Sequence, residues 1–239
     1  MASVHPVDSR VATVSAFLTV GFGSPLSVLS DLDSRRCYAG GVSHIRRLRL
    51  PLRAICGHFI HTDEYILQMT AKNGVAVTWN PLSNGRMASG VADIPKYLKM
   101  GIRVGMGIDG EASGDLADPF ENTRAGLYAV RDKYEDATVI SPYQVLWLHT
   151  MGSADALGSK SKLGSFEPGK FGDFLVINPA RLGAVLEDPY ANLVLVTAER
   201  DVDRIYVGGE LRVDHGQVLH QDMTEIEKEV NQRVAARGR

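Results

Sequence analysis

Val104-Gly105-Met106-Gly107-Ile108-Asp109-Gly110-Glu111-Ala112-Ser113 is a short apolar run that ends in a carboxylate beside glycine. Bounded by turn residues, a run of this length reads as a buried strand, and the aspartate then stands where strand meets loop. A carboxylate placed there is poorly solvated and needs a proton, a cation or a donor close by. Metal ligation and proton shuttling both fit, and a plain turn Asp-Gly is the structural alternative. The neighbouring segments weigh between them.

Outward from this run, strand and helix alternate. Residues 53–60 read as a short strand, and Thr62-Asp63-Glu64 caps a helix that runs to Lys72 and is stopped by Asn73-Gly74. Residues 75–79 form a second strand, closed by Asn80-Pro81, and a loop carrying Ser83-Asn84-Gly85 leads to a helix over 93–100. The third strand covers 102–108. A helical stripe of Phe120, Leu127, Val130 and Tyr134 marks residues 118–134, and Pro142 at a first helical position opens a helix reaching about residue 157. This alternation predicts an α/β architecture with parallel strands and with chemistry at their carboxyl ends. His58, the stretch Asn80-Pro81-Leu82-Ser83-Asn84, and Asp109 fall on three successive strand ends.

Beyond residue 157 the pattern changes. A turn-rich segment, 164–173, feeds a strand ending at Ile177. Short strands are expected at 193–196, 202–207 and 211–213, with Gly208-Gly209 and His215-Gly216 as hairpin turns. Residues 223–237 read as a charged helix. The chain thus divides into 1–54, 55–157, 158–222 and 223–239.

Composition narrows the function classes. The 239 residues carry a net charge of −2 and are 44% hydrophobic, ample for a core. There is no basic footprint for nucleic acid and no apolar run approaching the ~18 residues needed to cross a bilayer. Cys37 and Cys56 lack CxxC spacing and read as small core hydrophobes, which fits a reducing, cytoplasmic setting. Residues 1–54 differ from the rest: seven Arg and eight Ser stand against three Asp, with no Lys and no Glu. Three readings stay open for this segment: a transit peptide, a signal peptide built on the apolar stretch 11–23 after Arg10, and sequence foreign to the remainder, as from an altered reading frame.

Four motifs in order carry a resemblance. They are Gly57-His58-Phe59-Ile60-His61; Asn80-Pro81-Leu82-Ser83-Asn84 with Ala88-Ser89-Gly90; Gly105-Met106-Gly107-Ile108-Asp109-Gly110 with Ala112-Ser113; and Leu163-Gly164-Ser165-Phe166-Glu167-Pro168-Gly169-Lys170. Over about residues 54–220 the chain resembles the amidohydrolase superfamily, in the branch of guanine, cytosine and S-adenosylhomocysteine deaminases and triazine hydrolases. The resemblance implies a (β/α)8 barrel with one divalent metal, zinc or iron, and a β-sandwich built from both chain ends. It implies a metal-activated water that displaces an amino or halide group from a heterocyclic small molecule, with no nucleic-acid or membrane partner and with homo-oligomers left open. By that resemblance Asp109 is metal ligand and proton relay, and His58 steadies the attacking water or the developing charge. Ser83, Asn84 and Trp79 contact substrate, and His61 takes a supporting or solvent-facing position.

The chain also departs from that pattern. No His-x-His occurs in it, His5 and His44 stand alone, and Trp79 replaces a histidine common at its position in relatives. An aspartate and one imidazole are too few for a catalytic zinc, which takes three protein ligands and an open position. A complete barrel takes roughly 250 residues, whereas 54–157 supply three βα units. The expectation is therefore about three units of a barrel followed by a small β-sandwich portion, inactive alone or reliant on further sequence. An inactive fragment without the His-x-His ligands is the competing reading to the metal-dependent hydrolase. Elsewhere, Lys160 and Lys162 read as a solvated turn, His149 as a structural histidine in an apolar helix, and His215 and His220 as exposed turn residues.

Overall fold

In a computed structural model the described residues are 12–15, 54–114, 116–182 and 187–237. Cys37, His5, His44 and most of the 1–54 segment lie outside them.

Three strands, β2 (Ile55–Gly57), β3 (Ala76–Trp79) and β4 (Arg103–Met106), form a parallel sheet in the order β2-β3-β4. Register is set by Cys56 opposite Val77 and by Val77 opposite Val104. Between the strands run α1 (Glu64–Lys72), α2 (Pro81–Arg86) and α3 (Ile94–Lys99). Asp63 caps α1 by accepting from Ile66 N at 2.8 Å, as a first-turn carboxylate should. After β4 comes α4 (Pro119–Tyr134), capped by Asp118, whose Oδ1 accepts from Phe120 N and Glu121 N. Then α5 (Pro142–Trp147) opens on a reciprocal Ser141–Gln144 box. Ala76, Val77, Trp79, Val104 and Met106 are all buried, so β3 and β4 are covered on both faces, as parallel strands are.

Two helical elements depart from the pattern read in the sequence. Ser83-Asn84-Gly85 lies inside helix α2 rather than in a loop. Poor helix formers are overridden there because Pro81 needs no amide partner and the next free amide, Leu82 N, is capped at 3.1 Å by Asn122 Oδ1 from α4. The helix begun at Pro142 passes into a π-turn at Leu148–Gly152 before α6 (Ser153–Ala156). The widened turn lets Gly152 and Ser153 pack directly on β4. A Cβ on Gly152 would lie 2.5 Å from Val104 O, and Ser153 Oγ donates to Met106 O at 2.8 Å.

The second sheet is antiparallel, in the order β1-β5-β6-β7-β8, with β1 (Ala12–Ser15), β5 (Phe174–Ile177), β6 (Val202–Val207), β7 (Glu210–Asp214) and β8 (Gln217–Val218). Hairpin turns fall at Gly208-Gly209 and His215-Gly216, where Gly208, Gly209, His215 and Gly216 all have positive φ. The apolar run expected as a strand at 193–196 is instead a π-helical turn, Asn192–Val196. Its carbonyls face α4, where Arg124 donates from Nε to Val194 O at 3.0 Å and from Nη2 to Thr197 O at 2.6 Å. An arginine thus takes up the carbonyls that a sheet would otherwise pair. Helix α7 (Met223–Arg237) is exposed along its whole length. Among the described residues no helix is long and apolar enough to cross a membrane.

Candidate active site

The carboxyl ends of β2, β3 and β4 bring His58, Ser83, Asn84 and Asp109 together. His58 follows β2 directly, and its amide continues the sheet by donating to Thr78 O at 2.8 Å. The chain then turns sharply, with φ at 60° for His58 and 55° for Phe59, both left-handed and neither glycine. Such backbone costs on the order of 1–3 kcal/mol per residue and persists only where the surroundings fix it. Here Phe59 N bonds Gly57 O at 2.7 Å, Tyr97 Oη donates to Phe59 O at 2.6 Å, and the Phe59 and Tyr97 rings meet edge-on at 5.9 Å. Asp109, three residues past β4, is likewise left-handed at φ 63°.

Two donors bond the Asp109 carboxylate and an imidazole nitrogen lies beside it. Ser83 Oγ donates to Oδ2 at 2.8 Å, His58 Nε2 lies 3.5 Å from the same oxygen, and Gly110 N donates to Oδ1 at 2.9 Å. The two partners are held differently from the carboxylate itself. Ser83 is 2% exposed and Asn84 3%, whereas the side chains of Asp109 and His58 are 30% and 42% exposed. Asn84 Nδ2 lies 2.7 Å from His58 Nδ1. With the amide donating, Nδ1 is the acceptor and the imidazole proton sits on Nε2, facing Asp109. The result is a carboxylate anchored on one side by a buried hydroxyl and open to solvent on the other. It can accept a proton from a solvent-side molecule, while the imidazole N–H presents a donor beside it.

Trp79 is placed elsewhere. Residue 79 is 1% exposed and its ring tip packs on α4, where a Cβ on Gly126 would come within 2.8 Å of Cη2. It fills the layer between the sheet and α4, on the side away from Gly107, whose Cβ position faces Thr78 and Asn80. His61 is exposed and lies 3.1 Å from Ser89 O through Nε2. His149 is buried in the π-turn with Nε2 3.4 Å from Asn122 Nδ2, and desolvation lowers its pKa to about 4, so the ring is neutral. Lys160 and Lys162 lie in the exposed turn 159–163.

Asn122 is a residue that sequence reading passes over. It is 0% exposed and links the Leu82 amide to Gly107 O. The available signal is a polar residue one turn before Gly126, on the side of the stripe that turns inward. Among the described residues no group of three or more His, Cys, Asp and Glu side chains could hold a metal ion. Asp109 and His58 offer two ligands, already in mutual contact, and a catalytic zinc takes three. The described residues therefore do not fit such an ion on their own.

A family model described as the amidohydrolase family matches residues 20–212. A 5-methylthioadenosine/S-adenosylhomocysteine deaminase of Moorella thermoacetica is 29% identical over 95% of this chain and 54% of its own length. An adenosine deaminase structure from Xanthomonas campestris with bound zinc shares the fold at TM-score 0.79 and 24% identity, covering 86% of this chain and 48% of that one. A mutant atrazine chlorohydrolase of Arthrobacter aurescens, solved with zinc and atraton, aligns at TM-score 0.71 and 25% identity over 76% of this chain and 41% of that one. The chain spans about half the length of the curated relatives it matches. Four ordered motifs, a strand-end carboxylate and a match over residues 20–212 converge on one conclusion: the chain belongs to the amidohydrolase family.

Proposed function

We propose that this chain carries the proton-transfer part of a hydrolase that cleaves a carbon–nitrogen bond on a small heterocycle, with adenine nucleosides as its first substrate class. The observation that carries the reading is the convergence of Ser83 Oγ and His58 Nε2 on Asp109 Oδ2 at the carboxyl edge of a parallel sheet. On this reading β2–β4 with their helices are units of a (β/α)8 barrel, and the β1-β5-β6-β7-β8 sheet belongs to a β-sandwich beside it.

The chemistry follows from the residues. A water oxygen adds to the ring carbon bearing the amino group, and Asp109 takes the proton that the water loses. The same carboxyl returns that proton to the amine, the C–N bond breaks and ammonia leaves; the hydroxyl's remaining proton passes to the adjacent ring nitrogen, so that a ring carbonyl remains. His58, with its proton fixed on Nε2 by Asn84, donates to the oxygen on the tetrahedral carbon as charge develops. Ser83 keeps Oδ2 oriented throughout. Asp109 is the carboxylate that would ligate a divalent ion such as zinc or iron, but with His58 it makes up two of the three protein ligands that a catalytic zinc takes.

The test is ammonia release by the purified full chain from methylthioadenosine, S-adenosylhomocysteine and adenosine, with and without added Zn²⁺ or Fe²⁺, beside a chlorotriazine assayed for chloride. Ammonia from the adenine nucleosides, abolished by Asp109→Asn, is the expected result. Chloride release alone would move the assignment to dechlorination. No release under any condition overturns the reading for this polypeptide.

A further inference from the structure

We propose that Asn122 is a positioning residue: one buried amide on α4 ties together the two segments that carry Ser83 and Asp109 and so fixes the distance between them. This rests on the proposed role of Asp109, but its geometry stands independently.

Each polar atom of the Asn122 side chain is engaged. Oδ1 accepts from Leu82 N at 3.1 Å, one residue before Ser83. Nδ2 donates to Gly107 O at 3.2 Å, two residues before Asp109, and its second proton points to His149 Nε2 at 3.4 Å. The neutral imidazole of His149 supplies a lone pair there, which fixes the amide plane and its orientation. The side chain is fully buried, so no water competes for these contacts.

The two segments have few other ties to one another near the site. Gly107 N continues the ladder by donating to Trp79 O at 2.9 Å, and Asn80, with its amide nitrogen toward Gly107, donates to Gly107 O at 3.0 Å, the carbonyl that Asn122 also bonds. A Cβ on Gly107 would come within 2.7 Å of that Asn80 amide, so the glycine permits the close approach. Beyond residue 107 the chain leaves the sheet, and the Ser83–Asp109 bond then spans a gap whose width is set by where Leu82 and Gly107 are held. Among the described residues Asn122 is the one side chain that bonds both ends of that gap at once, Leu82 N and Gly107 O.

The experiment is hydrogen–deuterium exchange on the full chain, comparing wild type with Asn122→Leu and Asn122→Asp. Asn122→Leu keeps the volume and loses both ties. Exchange is expected to rise about tenfold or more in peptides covering 80–87 and 105–114, with β3 unchanged. Asn122→Asp keeps the acceptor for Leu82 and loses the donor to Gly107, so it loosens 105–114 and leaves 80–87 closed. This asymmetry is the readout a general packing role does not give. Unchanged exchange in both segments, or a uniform rise across the molecule in both variants, overturns the proposal; should Asn122→Leu fail to fold, Asn122→Asp alone decides. Exchange is read without substrate, so a failed ammonia assay leaves this inference standing. Where ammonia is released, kcat should fall 10- to 100-fold in Asn122→Leu with KM within threefold.

Discussion

Among the described residues a histidine faces an aspartate beside each sheet, His58 with Asp109 and His215 with Asp203, and the tighter pair is the less suited to chemistry. His215 Nδ1 lies 2.9 Å from Asp203 Oδ1, whereas His58 Nε2 lies 3.5 Å from Asp109 Oδ2. Both histidines have left-handed backbone. The difference is in what else touches the carboxylates. Asp203 also faces Arg181 at 3.6 Å and Arg204 at 3.8 Å, and Arg204 is shared with Asp214. Its charge is matched several times over, and its side chain is 11% exposed. Asp109 takes a hydroxyl and a backbone amide, has no Lys or Arg in ion-pair range among the described residues, and keeps one side open. Proximity of an imidazole and a carboxylate is thus a poor guide to a site. Unmatched charge with room beside it is the better one.

Exchanging the two carboxylates for amides should therefore give opposite phenotypes. Asp109→Asn is expected to lower ammonia release by 10²- to 10⁴-fold, the range of a positioned acid–base group, with thermal unfolding nearly unmoved. Asp203→Asn should leave kcat and KM unchanged and lower the unfolding midpoint. Steady-state kinetics beside calorimetry reads both, and a stable, active Asp109→Asn protein would erase the contrast between the pairs.

A second division runs between the polar rim and the packed layer beneath it. Trp79 lies on the packed side, so Trp79→Ala should cost about 3–5 kcal/mol in urea unfolding, as large-to-small changes in a core do. If the indole instead grips substrate, KM rises while stability holds. Gly126→Ala tests the same contact from α4, because the added methyl would meet Trp79, Met106 and Pro81 at 2.8–3.1 Å. It should cost about 1–3 kcal/mol through overpacking.

What the sequence made legible divides along the same line. The Asp63 cap, the helical stripe over 118–134, the Pro142 helix start, the strand ending at Ile177 and the hairpin turns are local signals, and they fall where local rules put them. The helix over Ser83-Asn84-Gly85 and the π-turns at Leu148–Gly152 and Asn192–Val196 escape such rules. Their determinants are distant partners: Asn122 for Leu82 N, Val104 O against Gly152, Arg124 for the carbonyls of Val194 and Thr197. The grouping of His58 and Asp109 could be foreseen from strand ends, because parallel strands deliver their carboxyl termini to one edge. The role of Asn84 toward His58 Nδ1 could not, since a helix had to be formed from loop-like residues first.

The buried His149 separates the two regions by pH. Burial lowers its pKa from 6.5 to about 4, so between those values the unfolded chain binds a proton that the folded chain refuses. Stability therefore falls as pH drops from 6.5 toward 4, by about 3 kcal/mol in all, and below 4 this contribution stops changing. His149→Asn should flatten that part of the profile relative to wild type in urea titrations at pH 7 and 4.5. An unchanged difference between the two pH values would mean that the ring is already charged in the fold.

The antiparallel sheet should show a smaller window of the same sign at lower pH. The hydrogen bond from His215 is the main cause that lowers the Asp203 pKa below 3.8, followed by the charge of His215 and then by those of Arg204 and Arg181. A carboxylate with a depressed folded pKa stabilises above its unfolded value and loses that stabilisation as pH falls through the folded one. His215→Ala should then lower stability at pH 5 by at most about 1 kcal/mol, because the imidazole side of the pair is well exposed. The gap between variant and wild type should begin to close as pH falls below 3.8 and vanish once pH has passed the lowered folded pKa of Asp203. Thermal melts at pH 5 and 3 read it directly. A gap that widened at pH 3 would show that His215 acts through packing, and the two histidine–aspartate pairs would then differ in more than the matching of charge.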